Sequence, residues 1–296
     1  MKKISGIIII ACLLFFVQCS NKNITDKIIV KSEVIKLADD FSFTEGPTAD
    51  KDGNVYFTDQ PNNKIHIWNV DGVLSLFTDD SKRSNGLYFD MNGELLACAD
   101  LDNKLIAFNM DKSIKEYAVD YNGSKLNGPN DLWIDLKGGV YFTDPYYQRP
   151  WWDRKSADLD VEAVYYLLPS RDKVIRVDNE LVKPNGIIGS DDGTVLYVAD
   201  IGAGKTYSYR IVEDGSLSDK KLFCSEGSDG MTIDKSGNVY LTNKTVSVFS
   251  KDGKQVIKIE IPESPSNVCF GGVDRKTLFI TARTSLYSVE MNVEGF

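Results

Sequence analysis

One short pattern recurs six times along this chain, and it restricts the fold more than any bulk property does. A turn that usually contains glycine leads into a few β-branched and aromatic residues, and a polar residue ends the run. The copies are Asp52–Asp59, Asn92–Asp100, Lys137–Asp144, Asp192–Asp200, Ser236–Asn243 and a worn sixth, Arg275–Arg283. Glycine turns before short β-type runs are the signature of hairpins. A second strand follows each copy, as in Lys64–Trp68, Lys104–Phe108 and Ser247–Phe249. The run ends at positions 59, 100, 144, 200, 243 and 283 lie about forty residues apart, the period of a propeller blade. No amphipathic helix of useful length interrupts them. The repeats predict an all-β, six-bladed β-propeller over 27–296, with Lys27–Leu37 joining the last blade to close the ring.

The amino terminus belongs to another class of sequence. Lys2 and Lys3 precede the apolar run Ile7–Val17, and Cys19 follows, although Gln18 stands where a small residue is usual. The apolar run is too short to span a bilayer comfortably. Residues 1–19 are expected to be a lipoprotein-type signal, lipidated at Cys19, and 20–26 a short tether; an ordinary secretory signal is the alternative. The first reading places the protein outside the cytoplasm, anchored by lipid and facing the periplasm or cell surface. Beyond the signal, Cys98, Cys224 and Cys269 are too scattered for a disulfide framework or a metal cluster, and read as buried hydrophobes. A formal charge of −9 without a clustered basic stretch excludes nucleic acid as the expected partner.

A second register runs about fourteen residues ahead of the first. Glu45, Asn85, Asn130, Asn185, Asp229 and Asn267 each lie just upstream of a strand. In a propeller the first strand of each blade lines the central channel, so these six side chains should converge near its axis. Glu45, Asn130, Asn185 and Asp229 would then present only oxygen donors, a set suited to a hard divalent cation. Asn and Asp also occur before strands simply as turn formers. The local contexts here are Thr44-Glu45-Gly46-Pro47, Gly128-Pro129-Asn130-Asp131, Pro184-Asn185-Gly186 and Ser228-Asp229-Gly230.

These four elements, in this order and at blade spacing, resemble the gluconolactonase family, which includes regucalcin and luciferin-regenerating enzymes. The resemblance covers nearly all of the chain after the signal. It implies a metal-dependent lactone hydrolase, acting on a sugar aldonolactone such as gluconolactone. It also implies one divalent ion, calcium first and magnesium, manganese or zinc as alternatives, bound by residues matching Glu45, Asn185 and Asp229, with Asn130 in the same site. Regucalcin-type relatives carry arginine where this chain has Gly128, so sugar recognition should differ. Asp229 is the expected general base. Asn130 and Asp131 are candidate substrate contacts, although Asp131 could equally stabilise the turn after Asn130. The interval between 144 and 200 exceeds the others, and its Tyr146, Tyr147, Arg149, Trp151 and Trp152 are expected to face a sugar ring at the channel mouth. The lone histidine, His66, falls on a second strand and reads as a strand-surface residue, which excludes a Ser-His-Asp triad. The competing reading is a non-enzymatic binding propeller whose metal is structural.

Overall fold

A computed structural model describes residue 28 and residues 30–296, apart from residue 119. The signal segment 1–19, the lipidation site Cys19 and the tether 20–26 lie outside the described residues. The chain forms six four-stranded antiparallel sheets arranged as a propeller. Five blades are built from consecutive strands, for example Thr44–Ala49, Val55–Asp59, Lys64–Trp68 and Leu74–Thr78 in the first. The sixth takes its outer strand, Ile35–Ala38, from the amino-terminal end and pairs it with Ser285–Glu290. The closing strand expected over 27–37 is thus shorter and shifted. Around Ser32 the ladder is interrupted because its hydroxyl, in place of a backbone carbonyl, accepts the N–H of Glu290. Pairing resumes only as a single bridge between Val30 and Met291.

The repeated motif has a physical reason at each position. Its turn is held by the aspartate that ends the inner strand. Asp50 Oδ1 accepts the N–H groups of Asp52 and Asn54, and Gly53 between them takes φ +94°. Asp90 and Asp234 repeat that arrangement with Gly93 and Gly237. Glycine is needed because a side chain at such a φ is strained. The following apolar residues bury both faces of the second strand, since each sheet packs between two neighbours: Leu95–Ala99 is buried throughout. The outer strand Leu74–Thr78 is mostly exposed by contrast. The core therefore lies as layers between successive blades.

The threonine and aspartate closing the motif serve different contacts. Thr58 Oγ1 donates to Asn85 O at 3.1 Å and Thr143 Oγ1 to Asn185 O at 2.7 Å, so each threonine ties its blade to the inner strand of the next. The aspartates grip their own blade. Asp59 Oδ1 accepts the N–H groups of Ser42 and Phe43, Asp144 those of Asn127 and Gly128, and Asp200 those of Val182 and Lys183. In all three blades the second of those N–H groups lies two residues before a channel position: Glu45, Asn130 or Asn185.

His66 lies on the third strand of its blade, away from the channel, but it is not a free surface residue. Its ring stacks on Phe57 at 5.5 Å and meets Phe41 at 5.0 Å, and burial lowers its pKa. Cys98, Cys224 and Cys269 are buried free thiols.

Removing the Asp200 clamp should cost about 2 kcal/mol or more, because the partly buried N–H groups of Val182, Lys183 and Ala203 lose their acceptor. Urea denaturation of Asp200→Ala should show this loss. Asp192→Ala, which removes only an exposed turn cap, should lose much less. Equal midpoints for the two variants would contradict the clamp's role.

Candidate functional site

Four of the six register residues, Glu45, Asn185, Asp229 and Asn267, are linked to one another through side chains. Glu45, Asn85, Asn130, Asn185 and Asn267 are all buried, whereas Asp229 keeps a partial opening to solvent. Asn185 Nδ2 donates to Asp229 Oδ1 at 2.8 Å. Asn267 Nδ2 donates to Asp131 Oδ2 at 3.3 Å, and Asn267 also hydrogen-bonds to Glu45. Glu45 Oε2 accepts the Gly46 N–H at 3.0 Å. The fifth blade, which has Asn243 where the first four have aspartate, adds a serine contact beside its channel residue. Ser228 Oγ donates to Thr242 O, and the N–H of Asp229 donates to the same carbonyl.

Asp131 is more central than its sequence context suggests. In four blades the residue after the channel position is glycine, as in Gly46, Gly86, Gly186 and Gly230. That residue abuts the neighbouring blade: a Cβ on Gly86 would lie 2.5 Å from Asp131 Oδ1, and one on Gly230 would lie 1.9 Å from Asn267 Cγ. The third blade places Asp131 there instead, and its carboxylate occupies room that Gly86 leaves. The Leu132 N–H on Asp131 Oδ1 is the contact that the turn-forming alternative expects.

Three carboxyl groups thus share a desolvated channel. Burial pushes Asp131 up to about 8, opposed by the Leu132 N–H and by Asn267. Asp229 is pushed to about 6, again by burial, with the Asn185 amide and the charges of Arg149 and Arg283 limiting the rise. Glu45 is raised well above the usual carboxylate range by burial and by the charges of Asp229 and Asp131. Mutual repulsion of this kind is relieved by a proton or by a cation. Asn185 Oδ1 adds a direct sign, since it is buried and has no hydrogen-bond partner. A buried acceptor left unpaired is costly, and a cation would satisfy it. Among the described residues no three His, Cys, Asp or Glu side chains are grouped to hold a metal, so amide oxygens would have to complete the set. The donor chemistry of Glu45, Asn185 and Asp229 fits a hard divalent ion.

The long connection after Asp144 reaches this site through one residue. The Tyr147 hydroxyl accepts from Asn185 Nδ2 at 3.0 Å. Arg149 lies 5.5 Å from the Tyr147 ring and pairs through Nε with Asp100 at 2.5 Å. Trp151 is partly exposed beneath the Arg83 guanidinium, 4.4 Å from its centroid. Trp152 is taken out of reach of a sugar ring. It is buried, its Nε1 donates to Asp100 O at 2.6 Å, and its face is covered by Arg154 at 4.2 Å. The partly exposed Tyr146 has its hydroxyl on Gln148 and its ring 5.9 Å from Trp152. Sequence reasoning missed Asp100. It occupies the motif's aspartate position in the second blade but anchors this loop, where its counterparts grip their own blade. At the opposite end of the channel a cavity of about 740 Å³, lined by Leu87, Ile134, Ile188 and Phe270, extends up to Asp131 and Asn267.

Residues 43–284 match the family described as the SMP-30/Gluconolactonase/LRE-like region. The chain is 29% identical over 300 residues to the gluconolactonase of Zymomonas mobilis, covering 90% of this chain and 83% of that one. It is 26% identical over 283 residues to the diisopropyl-fluorophosphatase of Loligo vulgaris, covering 86% and 90%. Among solved structures, a gluconolactonase from Xanthomonas campestris superposes with a TM-score of 0.82 at 27% identity, covering 87% of this chain and 89% of that one. The calcium-binding protein regucalcin from Agrobacterium tumefaciens shares the fold, with a TM-score of 0.74 at 18% identity and coverage of 90% and 96%.

The raised pKa values set a stability trend. A carboxyl whose folded pKa exceeds its unfolded value of about 4 destabilises the fold increasingly as pH rises between the two. For Asp229 and Asp131 that window runs from about 4 to about 8. The melting temperature of metal-stripped protein should therefore fall as pH rises through it, and Asp131→Asn should flatten the fall. A divalent cation should raise the melting temperature most at the alkaline end. A cation effect that was absent or independent of pH would count against the site.

Proposed function

This chain belongs to the SMP-30/gluconolactonase/LRE-like family, and we propose that it hydrolyses a lactone, foremost a sugar aldonolactone such as gluconolactone, to the open-chain acid. The observation that carries the reading is the partnerless buried Asn185 Oδ1 beside Asp229 in a channel that also holds Glu45. The gluconolactonases among its relatives support the substrate class.

Opening a lactone requires stabilising the oxyanion and delivering water. One divalent cation held by Glu45, Asn185 and Asp229, with Asn130 close by, would polarise the carbonyl as a Lewis acid; calcium is our first assignment, with magnesium, manganese and zinc as alternatives. Asp229 accepts the proton of the attacking water. Burial favours proton uptake by this carboxylate, and its partial exposure admits the water. The Asn185 amide bond to Oδ1 fixes the orientation of that carboxylate and leaves Oδ2 for the proton. Asn130 and Asp131 orient the substrate, with Tyr147 and Arg149 at the mouth.

Acid release at constant pH from a panel of lactones tests this directly. Chelation should abolish turnover while the β-sheet circular dichroism persists, since six packed blades do not need one ion to fold. Asp229→Asn should retain much of the metal binding and lose turnover by about 10²–10⁴-fold, the usual contribution of a general base. Glu45→Gln should weaken metal affinity and recover in part with excess metal. Full-rate hydrolysis by the stripped protein would dismiss this mechanism and leave a binding propeller in its place.

Export completes the proposal. Lys2, Lys3, the run Ile7–Val17 and Cys19 support a lipid anchor that places the domain in the periplasm or at the cell surface. Cys19→Ser should move the protein out of the membrane fraction. Retention there would remove the anchor.

A further inference from the structure

The channel mouth above Asn185 gathers positive charge in a chain whose formal charge is −9. Three cations come from three places. Arg83 lies two residues before Asn85 and Lys183 two before Asn185, the same register in the second and fourth blades, and Arg149 comes from the long connection. Aromatic rings alternate with them. The Trp151 centroid lies 4.4 Å from the Arg83 guanidinium and 5.8 Å from that of Arg149. The Tyr147 centroid lies 5.5 Å from Arg149 and 4.6 Å from the Lys183 ammonium. The series ends where the Tyr147 hydroxyl meets Asn185, itself bonded to Asp229.

This series is rich in donors; the carboxylates among them, Asp100 and Glu162, each already pair with a cation, and Glu162 Oε2 is a buried acceptor without a partner. Arg83 has a carbonyl, not a carboxylate, as its hydrogen-bond partner: Nη1 donates to Pro61 O at 2.6 Å. Trp151 Nε1 is buried with no partner. The Tyr147 oxygen accepts from Asn185, so its own hydrogen remains available. Asp100 takes Nε of Arg149 and Glu162 takes Lys183, but a guanidinium has further N–H groups to offer. The backbone is also held so as to present Arg83. Lys82 and Arg83 adopt φ +54° and +52°, and Asn63 Oδ1 holds the Arg83 N–H at 2.8 Å. Non-glycine residues adopt that conformation only at a cost in strain.

A neutral sugar hydroxyl both donates and accepts, and would leave the charge of Arg83 unmatched. An anionic group only accepts, and matches a rim of cations and unpaired donors. Resting on the lactone reading above, we propose that Arg83, Arg149, Trp151 and Tyr147 form a subsite for an anionic substituent, carboxylate or phosphate, on the lactone.

The test compares three lactones: gluconolactone, the monolactone of glucaric acid with its free carboxylate, and a phosphorylated gluconolactone. The anionic lactones should show a kcat/KM at least about tenfold above that of gluconolactone. The advantage should shrink as ionic strength is raised, because salt screens an exposed charge pair. Which anion gains more distinguishes carboxylate from phosphate. Arg83→Gln should lower the anionic-to-neutral ratio about tenfold, and Arg83→Lys should restore part of it. A ratio near one, or one that Arg83→Gln leaves alone, overturns the subsite while lactone hydrolysis stands. If no lactone is opened, the hydrolase reading fails separately, and the subsite is judged by binding. Glucarate or phosphogluconate should then raise the melting temperature more than glucitol does, an effect that Arg83→Gln removes. Equal shifts for acid and polyol overturn it.

Discussion

The carboxylate that closes the second strand and grips two successive N–H groups of its own blade is the contact on which the candidate site depends. Asp59, Asp144 and Asp200 each fix the approach to an inner strand, and the channel residue follows at a constant offset. Three of the oxygen donors at the axis, from Glu45, Asn130 and Asn185, are therefore set by backbone geometry in separate blades. A charged acceptor taking two N–H groups is stronger than a neutral one. Its two oxygens constrain direction as well as distance. Loose loops could not hold three inner strands in so constant a relation to their own blades.

The same motif position is put to another use in the second blade. Asp100 leaves the approach to Asn85, where Asn63 takes over, and turns to Arg149, Gln60 and the long connection. One blade thus exchanges its clamp for a link to the channel mouth. Burial raises the Asp100 carboxyl to about 6, and the charge of its Arg149 partner opposes the rise.

The fold was legible because two periods coincide in the chain: alternation within each strand and recurrence about every forty residues. The channel register was legible for the same reason, a fixed offset from a visible landmark. What stayed hidden depends on contacts between blades. The room for Asp131 exists because Gly86, about forty-five residues earlier, lacks a side chain. Trp152 looks like an exposed loop aromatic in sequence, yet it is buried against the Asp100 carbonyl and Gly128. His66 likewise lies between two phenylalanines that its own strand does not contain. No local pattern encodes such neighbours.

Closure of the ring by Ile35–Ala38 against Ser285–Glu290 joins the two ends of the domain. Five blades can assemble from neighbouring hairpins as the chain emerges, but the sixth waits for residues near the carboxyl terminus. Pairing across such a separation is slow, because the entropy of closing the loop is spent before any contact compensates it. Until then the first and sixth blades each lack one of their two neighbours, and the apolar faces turned toward the gap stay open to association with other chains. The order of folding is therefore written into the topology: local sheets first and the ring last, with a newly made chain most exposed to aggregation just before its final strand arrives.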